Sequence, residues 1–580
     1  MKTFVADFET TTIEEDCRVW AWALCEVDNI NNKIFGNNLD DFMALCSKKE
    51  NYKILMHKLE FDGLFLIAWL FKNGFTHTTE QSERRGKTFN TLINDKGIYY
   101  QIEVIFERKG KSINKVTFQN SYNLIPMSAD KIAKNFRMPI SKLEIDYDKE
   151  RPAGHEMTEE EKAYISNDVE IIARAIHYFY ENGLDKMTIG SCALAEYKNI
   201  LTDRKFRMFF PPANYDREVR ESYHGGYNYL DPYFENRILS KGIVLDINAT
   251  HAKSLYSCEL PYGEPIFFRG EYQQDELYPL YVQAIRCQFK LKEGYIPTVQ
   301  IRHGSDFNIS EYLTHSGKTE VVLWLTSVDM EIFFKHYDVY NPEFFGGWKF
   351  KSCVGLFDEY IEKWNGIKMQ AKKDENWALY TIAKGMLVAL YGKFGTLPQV
   401  KSKIPYLDDK TGIIEYKDSY PKETDGVYLA LASFVTAHSR KRIISAFQKI
   451  RDAHNEGKTK ANVFYTDCDS LHIELNGEDE STFLKNCGLE IDELELGKFK
   501  VEGRFQRGKY LRGKCYIQEI EENREHKLKI TVAGMPESCY NQVTFENFKI
   551  GTTYKGKLAP QRVPGGVILG DIDFTLTRGY

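Results

Sequence analysis

The sequence predicts an α+β protein of several domains, and three observations carry that prediction. At 580 residues the chain exceeds the size at which one hydrophobic core stops growing. Its first 188 or so residues alternate short strand signals with helical stretches. Farther on, strands return after long helical runs, so the chain leaves one central unit and re-enters it.

The elements follow in order. Thr3 to Phe8 reads as a strand, Leu59 to Lys72 as a helix, and Ile98 to Phe106 and Lys115 to Gln119 as strands. A longer helix over Thr158 to Asn182 opens on an N-cap threonine followed three residues later by Glu161, and stops at Gly183. Gly242 to Asn248 is the next strand, Pro279 to Gln300 carries several strand signals, and Phe357 to Phe394 reads as helices. A turn-rich segment, Thr396 to Tyr428, precedes a helix around Leu429 to Asn455 and two strands flanking Asp467. From about residue 528 the chain is rich in β-branched residues and Gly, which reads as small β-structure.

A net charge of -6 offers no overall basic surface to an acidic partner, yet carboxylates gathered at metal sites offset basic stretches such as Arg84 to Lys87, Arg108 to Lys115 and Arg504 to Lys514. Eleven cysteines without a Cys-x-x-Cys pair exclude a zinc ribbon and argue for reduced thiols in a cytosol. Asp7 interrupts any signal-peptide start, and the apolar run Gly63 to Phe71 is too short to span a bilayer. Neither export nor a membrane role is expected.

Two carboxylate sets carry the chemistry. Asp7 and Glu9 are two apart on a strand and so share a face, where they can share a divalent cation. Asp62 and Asp168 add to them, and Tyr164 lies one helical turn before Asp168. Four carboxylates and a phenol can hold two Mg²⁺ and orient a water for phosphodiester hydrolysis. In the second set, Asp467 and Asp469 share a face, and Asp246 ends the apolar strand Gly242 to Leu245. Lys384 and Tyr391, seven apart, share a helix face with position 388, opposite the buried stripe Ala383, Leu387, Leu390 and Phe394. That face presents a cation to phosphates and a ring to a base or sugar. An Asp-x-Asp pair also serves metal-dependent glycosyltransferases, which supplies an alternative reading of Asp467 and Asp469.

Asp7-Phe8-Glu9-Thr10-Thr11, the Phe61-Asp62 segment and Tyr164-Ile165-Ser166-Asn167-Asp168 resemble the three exonuclease motifs of family B DNA polymerases, in order. With Tyr223-His224-Gly225-Gly226, Leu260 to Pro265, Tyr465 to Ser470 and Lys514-Cys515-Tyr516, the whole chain resembles the protein-primed branch, the φ29-type phage DNA polymerases. The resemblance implies an RNase-H-like 3′→5′ exonuclease domain (1–188) and a right-hand polymerase. Its palm covers 189–258 and 429–527, its fingers 357–395 and its thumb 528–580. Residues 259–356 are palm with a first insertion, placed near 300–356, that meets a terminal protein. The second insertion, 396–428, supports strand displacement.

By that resemblance Asp246 and Asp469 carry the polymerase metals with Asp467 and Ile247 beside them. Lys368 and Lys384 meet the triphosphate, while Ile247, His251, Val388, Tyr391 and Tyr465 line the nucleotide pocket. Thr10, His57, Lys58, Phe61 and Ser121 hold a frayed 3′ end, Lys142 assists exonucleolysis, and Tyr223, Gly225, Gly226, Lys514 and Tyr516 contact DNA. Implied with these are two Mg²⁺ (or Mn²⁺) per active site, primer-template DNA, dNTPs, a terminal protein as primer, a monomeric state, and the cytoplasm of an infected bacterial host.

Three departures from the family pattern touch sites. Where the family reads Asp-x-Asn-Ser-Leu-Tyr-Pro, this chain has Asp246-Ile247-Asn248-Ala249-Thr250-His251-Ala252, so His251 replaces a Tyr that blocks a sugar 2′-hydroxyl. Val388-Ala389 replaces Asn-Ser on the Lys384 helix. Together these changes are the pattern expected of altered nucleotide selectivity, as in a pocket redesigned for modified or ribonucleotides. Lys58 replaces an Asn, and an ammonium among four carboxylates would weaken proofreading.

Overall fold

The computed structural model describes residues 2–48, 51–147, 149–212, 215–303, 306–423, 427–522 and 525–579. An eight-stranded sheet fills the N-terminal part, with Lys2–Thr10 pairing parallel to Tyr52–Met56 and that strand parallel to Ser112–Asn120. Strand alternation sorts Lys2–Thr10 cleanly. Phe4, Ala6 and Phe8 pack with the helix Leu59–Lys72, while Val5 packs on the opposite side with the helix Glu159–Glu181. Asp7 and Glu9 have the parity of Val5, so they point toward the long helix. That helix is set at its start by a capping box, in which the Thr158 side chain meets the Glu161 N–H and the Glu161 carboxylate meets the Thr158 N–H.

A second sheet, antiparallel throughout, has the order Phe499–Phe505, Gly242–Ile247, Ser470–Glu474, Asn462–Asp467, Asn228–Leu230. Ile243, Leu245 and Ile247 are buried with Ile443, Phe447 and Ile450 of the helix Leu429–Asn455. Val244 and Asp246 therefore occupy the other face. The helices Asp358–Lys373 and Trp377–Phe394 pack as an antiparallel pair nearby.

The outlying units correct two sequence boundaries. The strand Tyr337–Cys353 pairs with both Leu280–Leu291 and Leu260–Phe268. The sheet that spans the segment expected to be inserted therefore begins near 260 and not near 300, because its long central strand needs partners from earlier in the chain. A boundary at 527/528 cuts through the strand Glu525–Val532, which is hydrogen-bonded to Cys515–Glu522. The last hairpin, Thr553–Val563 with Gly566–Thr575, reaches back across the molecule. Its Arg562 Nη1 donates to the Ile414 carbonyl at 2.8 Å, pairs with Glu415 at 3.1 Å and lies over the Tyr416 ring. Gly566 abuts Phe65 of the first unit so closely that a Cβ there would lie 2.4 Å from the ring. Among the described residues no helix is long and apolar enough to cross a membrane.

Arg562→Ala removes every one of these polar ties at the hairpin's far end. The amides of 566–569 are expected to exchange with deuterium at least about tenfold faster, the loss of roughly 1.4 kcal/mol of local stability, with the sheet of 2–120 unaffected.

Candidate active sites

The first site gathers Asp7, Glu9 and Asp168, whose ligand oxygens all lie within 4.8 Å of one another. Burial pushes the Asp7 carboxyl up to about 7, helped by Asp168 and opposed by Lys142. Burial likewise raises Glu9 and Asp62, with Asp7 the next cause for both, so Asp62 belongs to the same electrostatic cluster. Lys142 Nζ donates to Asp168 Oδ2 at 2.8 Å, while Asp168 Oδ1 is buried without a hydrogen-bond partner. Crowded, desolvated carboxylates with an orphaned oxygen suit a divalent cation. The Tyr164 hydroxyl is 3.0 Å from that of Tyr147, a residue the sequence patterns do not reveal because it lies in an irregular segment.

Around these carboxylates two expectations change. Lys58 adopts a left-handed backbone, φ 70°, and its ammonium lies over the Tyr122 ring, 5.7 Å from the centroid. The cation within the carboxylate set is Lys142 instead. His57 has both ring nitrogens engaged, by Ser121 Oγ at 3.0 Å and the Met127 carbonyl at 2.7 Å, and burial lowers it to about 4. His57 and the buried Ser121 thus brace one another. Phe61 and Lys58 face a cavity shared with Tyr416 and Arg562, and Thr10 lines a separate one with Tyr147.

The second site forms where Gly242–Ile247 meets the hairpin Asn462–Asp467/Ser470–Glu474, with Asp246 opposite Ser470 in the register. The connection is a γ-turn. Asp469 N–H donates to the Asp467 carbonyl at 2.7 Å across Cys468, whose φ is 62°. Ile247 N–H donates to the Asp469 carbonyl at 2.8 Å, and Cys468 N–H to that of Tyr227. Burial and then Asp246 raise Asp469 to about 7. Asp246 is also raised by burial, against the pull of Lys500, whose Nζ is 3.0 Å away. Asp467 is engaged elsewhere, accepting from Lys514 Nζ at 2.8 Å and Asn228 Nδ2 at 3.0 Å.

On the facing helices, Lys384 and Val388 are exposed and the stripe Ala383, Leu387, Leu390 and Phe394 is buried, as the spacing predicts. Lys368, on the neighbouring helix, is lowered to about 8 by burial and by Lys500 and Lys384. His251 does not leave open space beside the helix. Its ring lies flat on Tyr391, centroids 4.1 Å apart and planes within 8°, and burial lowers it to about 4. Three further residues stand behind the site. Tyr465 is fully buried, its hydroxyl accepting from Lys514 N–H at 3.0 Å, so it positions Lys514 and does not line the nucleotide pocket. The Ile247 side chain is buried in the sheet core. Tyr516, 8% exposed, stacks on Tyr510, which limits any contact with DNA to the edge of its ring.

Tyr223, Gly225 and Gly226 form the floor of this arrangement. Arg440, buried and paired with Asp329, donates to the His224 and Gly225 carbonyls at 2.8 and 3.0 Å. Gly226 lies against the γ-turn, where a Cβ would fall 2.4 Å from Cys468 Sγ. Neither Arg440 nor Lys500 was legible as functional in the sequence, since each acquires its role from a partner far along the chain.

A family model described as DNA polymerase type B, organellar and viral, matches residues 44–151 and 141–484. The chain belongs to that family. DNA polymerases of Bacillus phages M2 and phi29 are each 40% identical to it over 99% of both chains, and that of Streptococcus phage Cp-1 is 32% identical over 99% of this chain and 98% of that protein. The structure of phi29 DNA polymerase complexed with primer-template DNA and incoming nucleotide superposes with a TM-score of 0.91 at 40% identity, covering 99% of this chain and all of that one. Phi29 DNA polymerase complexed with single-stranded DNA gives 0.89 over the same shares. The protein is a DNA-directed DNA polymerase with the expected exonuclease, palm, fingers and thumb fold. Polymerases of this family generally use divalent metals. The glycosyltransferase reading and that of altered nucleotide choice find no support.

Two outcomes are expected. Gly226→Ala drives a methyl into the γ-turn and lowers primer extension at least about tenfold, since overpacking costs about 1–3 kcal/mol; adding Cys468→Gly, which removes the struck atoms and suits φ 62°, restores most of it. Folding holds the Asp7 carboxyl protonated up to about pH 7, so in chelator the protein loses stability as pH rises through about 4 to 7. Asp7→Asn should therefore raise the melting temperature at pH 8 in EDTA, and Mg²⁺ should stabilise the variant less than the parent, since the second carboxylate set is intact in both.

Proposed function

We propose that this polymerase extends primer-template DNA with dNTPs at Asp246 and Asp469 and removes 3′-terminal nucleotides at Asp7, Glu9, Asp62 and Asp168. The observation that carries the reading is the pairing of two separate buried carboxylate sets, each raised by burial and mutual repulsion. Two Mg²⁺ (or Mn²⁺) fit each set. Asp246 and Asp469 would hold such cations, which would supply Lewis-acid activation of a primer 3′-hydroxyl and stabilisation of charge on the phosphates.

The protein's own groups do the rest. Lys384 and the half-buried Lys368 bind the triphosphate, and the lowered pKa of Lys368 reflects its burial first and then the neighbouring ammonium groups, whose repulsion an anion relieves. The stacked His251 and Tyr391 form an apolar floor beside the nascent pair, with His251 neutral at physiological pH. Lys514, locked by Tyr465 and Asp467, holds the primer strand, while the Tyr223 to Gly226 loop guides DNA between the sites. In the exonuclease, Lys142 and Tyr164 flank Asp168 and orient the attacking water. With Lys58 turned toward Tyr122, its ammonium does not compete with a metal among the four carboxylates, and proofreading operates.

Residues 1–188 act as exonuclease, 357–395 as fingers and 396–428 as the strand-displacement insertion. A terminal protein as primer, a monomer, and action in the cytoplasm of an infected bacterium accord with relatives in Bacillus phages. Asp469→Asn should reduce Mg²⁺-dependent primer extension by at least about 10³-fold while sparing digestion of a single-stranded 3′ end, and Asp168→Asn should do the reverse. Loss of both activities in either variant would refute the division into two sites.

A further inference from the structure

Three ammonium groups meet at the mouth of the polymerase site, and one comes from the sheet. Lys368 and Lys384 belong to the helix pair. Lys500 belongs to the strand Phe499–Phe505, where the register sets it directly opposite Asp246, and its Nζ lies 3.0 Å from Asp246 Oδ1. The charged and titratable groups that face it are Asp246 and Glu502 from the sheet and Lys368 and Tyr380 from the helices. After burial, Lys500 is the largest influence on Lys368, ahead of Lys384 and Lys372, so it shares the field of the residues assigned to the triphosphate. Among the described residues, neither Lys368 nor Lys384 forms an ion pair with a carboxylate.

A partly buried cluster of like charges is stabilised by an anion that spans it, and a nucleoside triphosphate carries that charge. Lysine suits an exchange of partners, being a compact charge with three donors on a flexible stem. Its present partner is also a carboxylate assigned to hold divalent cations, so a cation on Asp246 releases the ammonium beside the incoming phosphates.

We propose that Lys500 is a third triphosphate-binding residue, reaching from the palm sheet, which exchanges Asp246 for phosphate oxygens when the nucleotide binds. The proposal rests on the assignment of Asp246 and Asp469 as the polymerase site. Lys500 then sets nucleotide affinity from the side opposite the fingers, and it does so through the phosphates, equally for all four bases.

The test uses the full-length protein with Lys500→Gln and Lys500→Arg. Equilibrium binding of dTTP to the complex with a dideoxy-terminated primer-template in Mg²⁺, read by fluorescence, is expected to weaken about tenfold in the Gln variant. In steady-state extension KM rises by a similar factor for each of the four dNTPs while kcat changes by no more than about threefold, and Arg recovers most of the affinity. Unchanged dTTP binding and KM, with or without a fall in melting temperature, would reduce Lys500 to a structural partner of Asp246 and overturn the proposal. Asp469→Asn is run beside them: if it still extends primers, the site assignment itself has failed, an outcome separate from any effect at Lys500.

Discussion

Carboxylates brought together out of water repel one another and lose hydration, and much of this molecule is arranged to hold them so. Asp7 and Glu9 extend the row begun by buried Val5, and Asp246 extends the row of Val244. In both sheets the apolar residues of the same strand anchor the acids that follow. The free energy comes from the cores beneath, since burial is the first cause of every raised acid in the two sets.

Single lysines temper the repulsion. Lys142 pairs with Asp168, Lys514 with Asp467 and Lys500 with Asp246. Asp469 has no such pair among the described residues, and burial and then Asp246 raise it to about 7. The set is therefore neutralised unevenly, which leaves one carboxylate with the greatest gain from a divalent cation.

Backbone strain is present here too. Of the eleven non-glycine residues with positive φ among the described residues, Ala249, Cys468 and Lys514 lie beside the second carboxylate set. Such conformations persist where surroundings over-determine them. Here Tyr227 and Gly226 support the Cys468 turn, and Tyr465 fixes Lys514. Arg440 extends the support outward, joining the Tyr223 to Gly226 loop to Asp329 of the helix Ser327–His336.

Local chemistry was legible in the sequence where a short-range rule decides it. The helices Leu59–Lys72 and Leu429–Asn455, the Thr158 cap, the buried stripe of the Lys384 helix and the shared faces of Asp7 with Glu9 follow from periodicity and capping, which act within a few residues. The resemblance of ordered motifs led to the polymerase family. Only the tertiary structure decided which side chains meet across long separations. It turned Lys58 away from the carboxylates, buried Tyr465 behind the site, laid His251 on Tyr391 and brought Lys500 to Asp246. Sheet register, backbone sign and packing determine those contacts, and their partners lie tens to hundreds of positions away, beyond the reach of any local pattern.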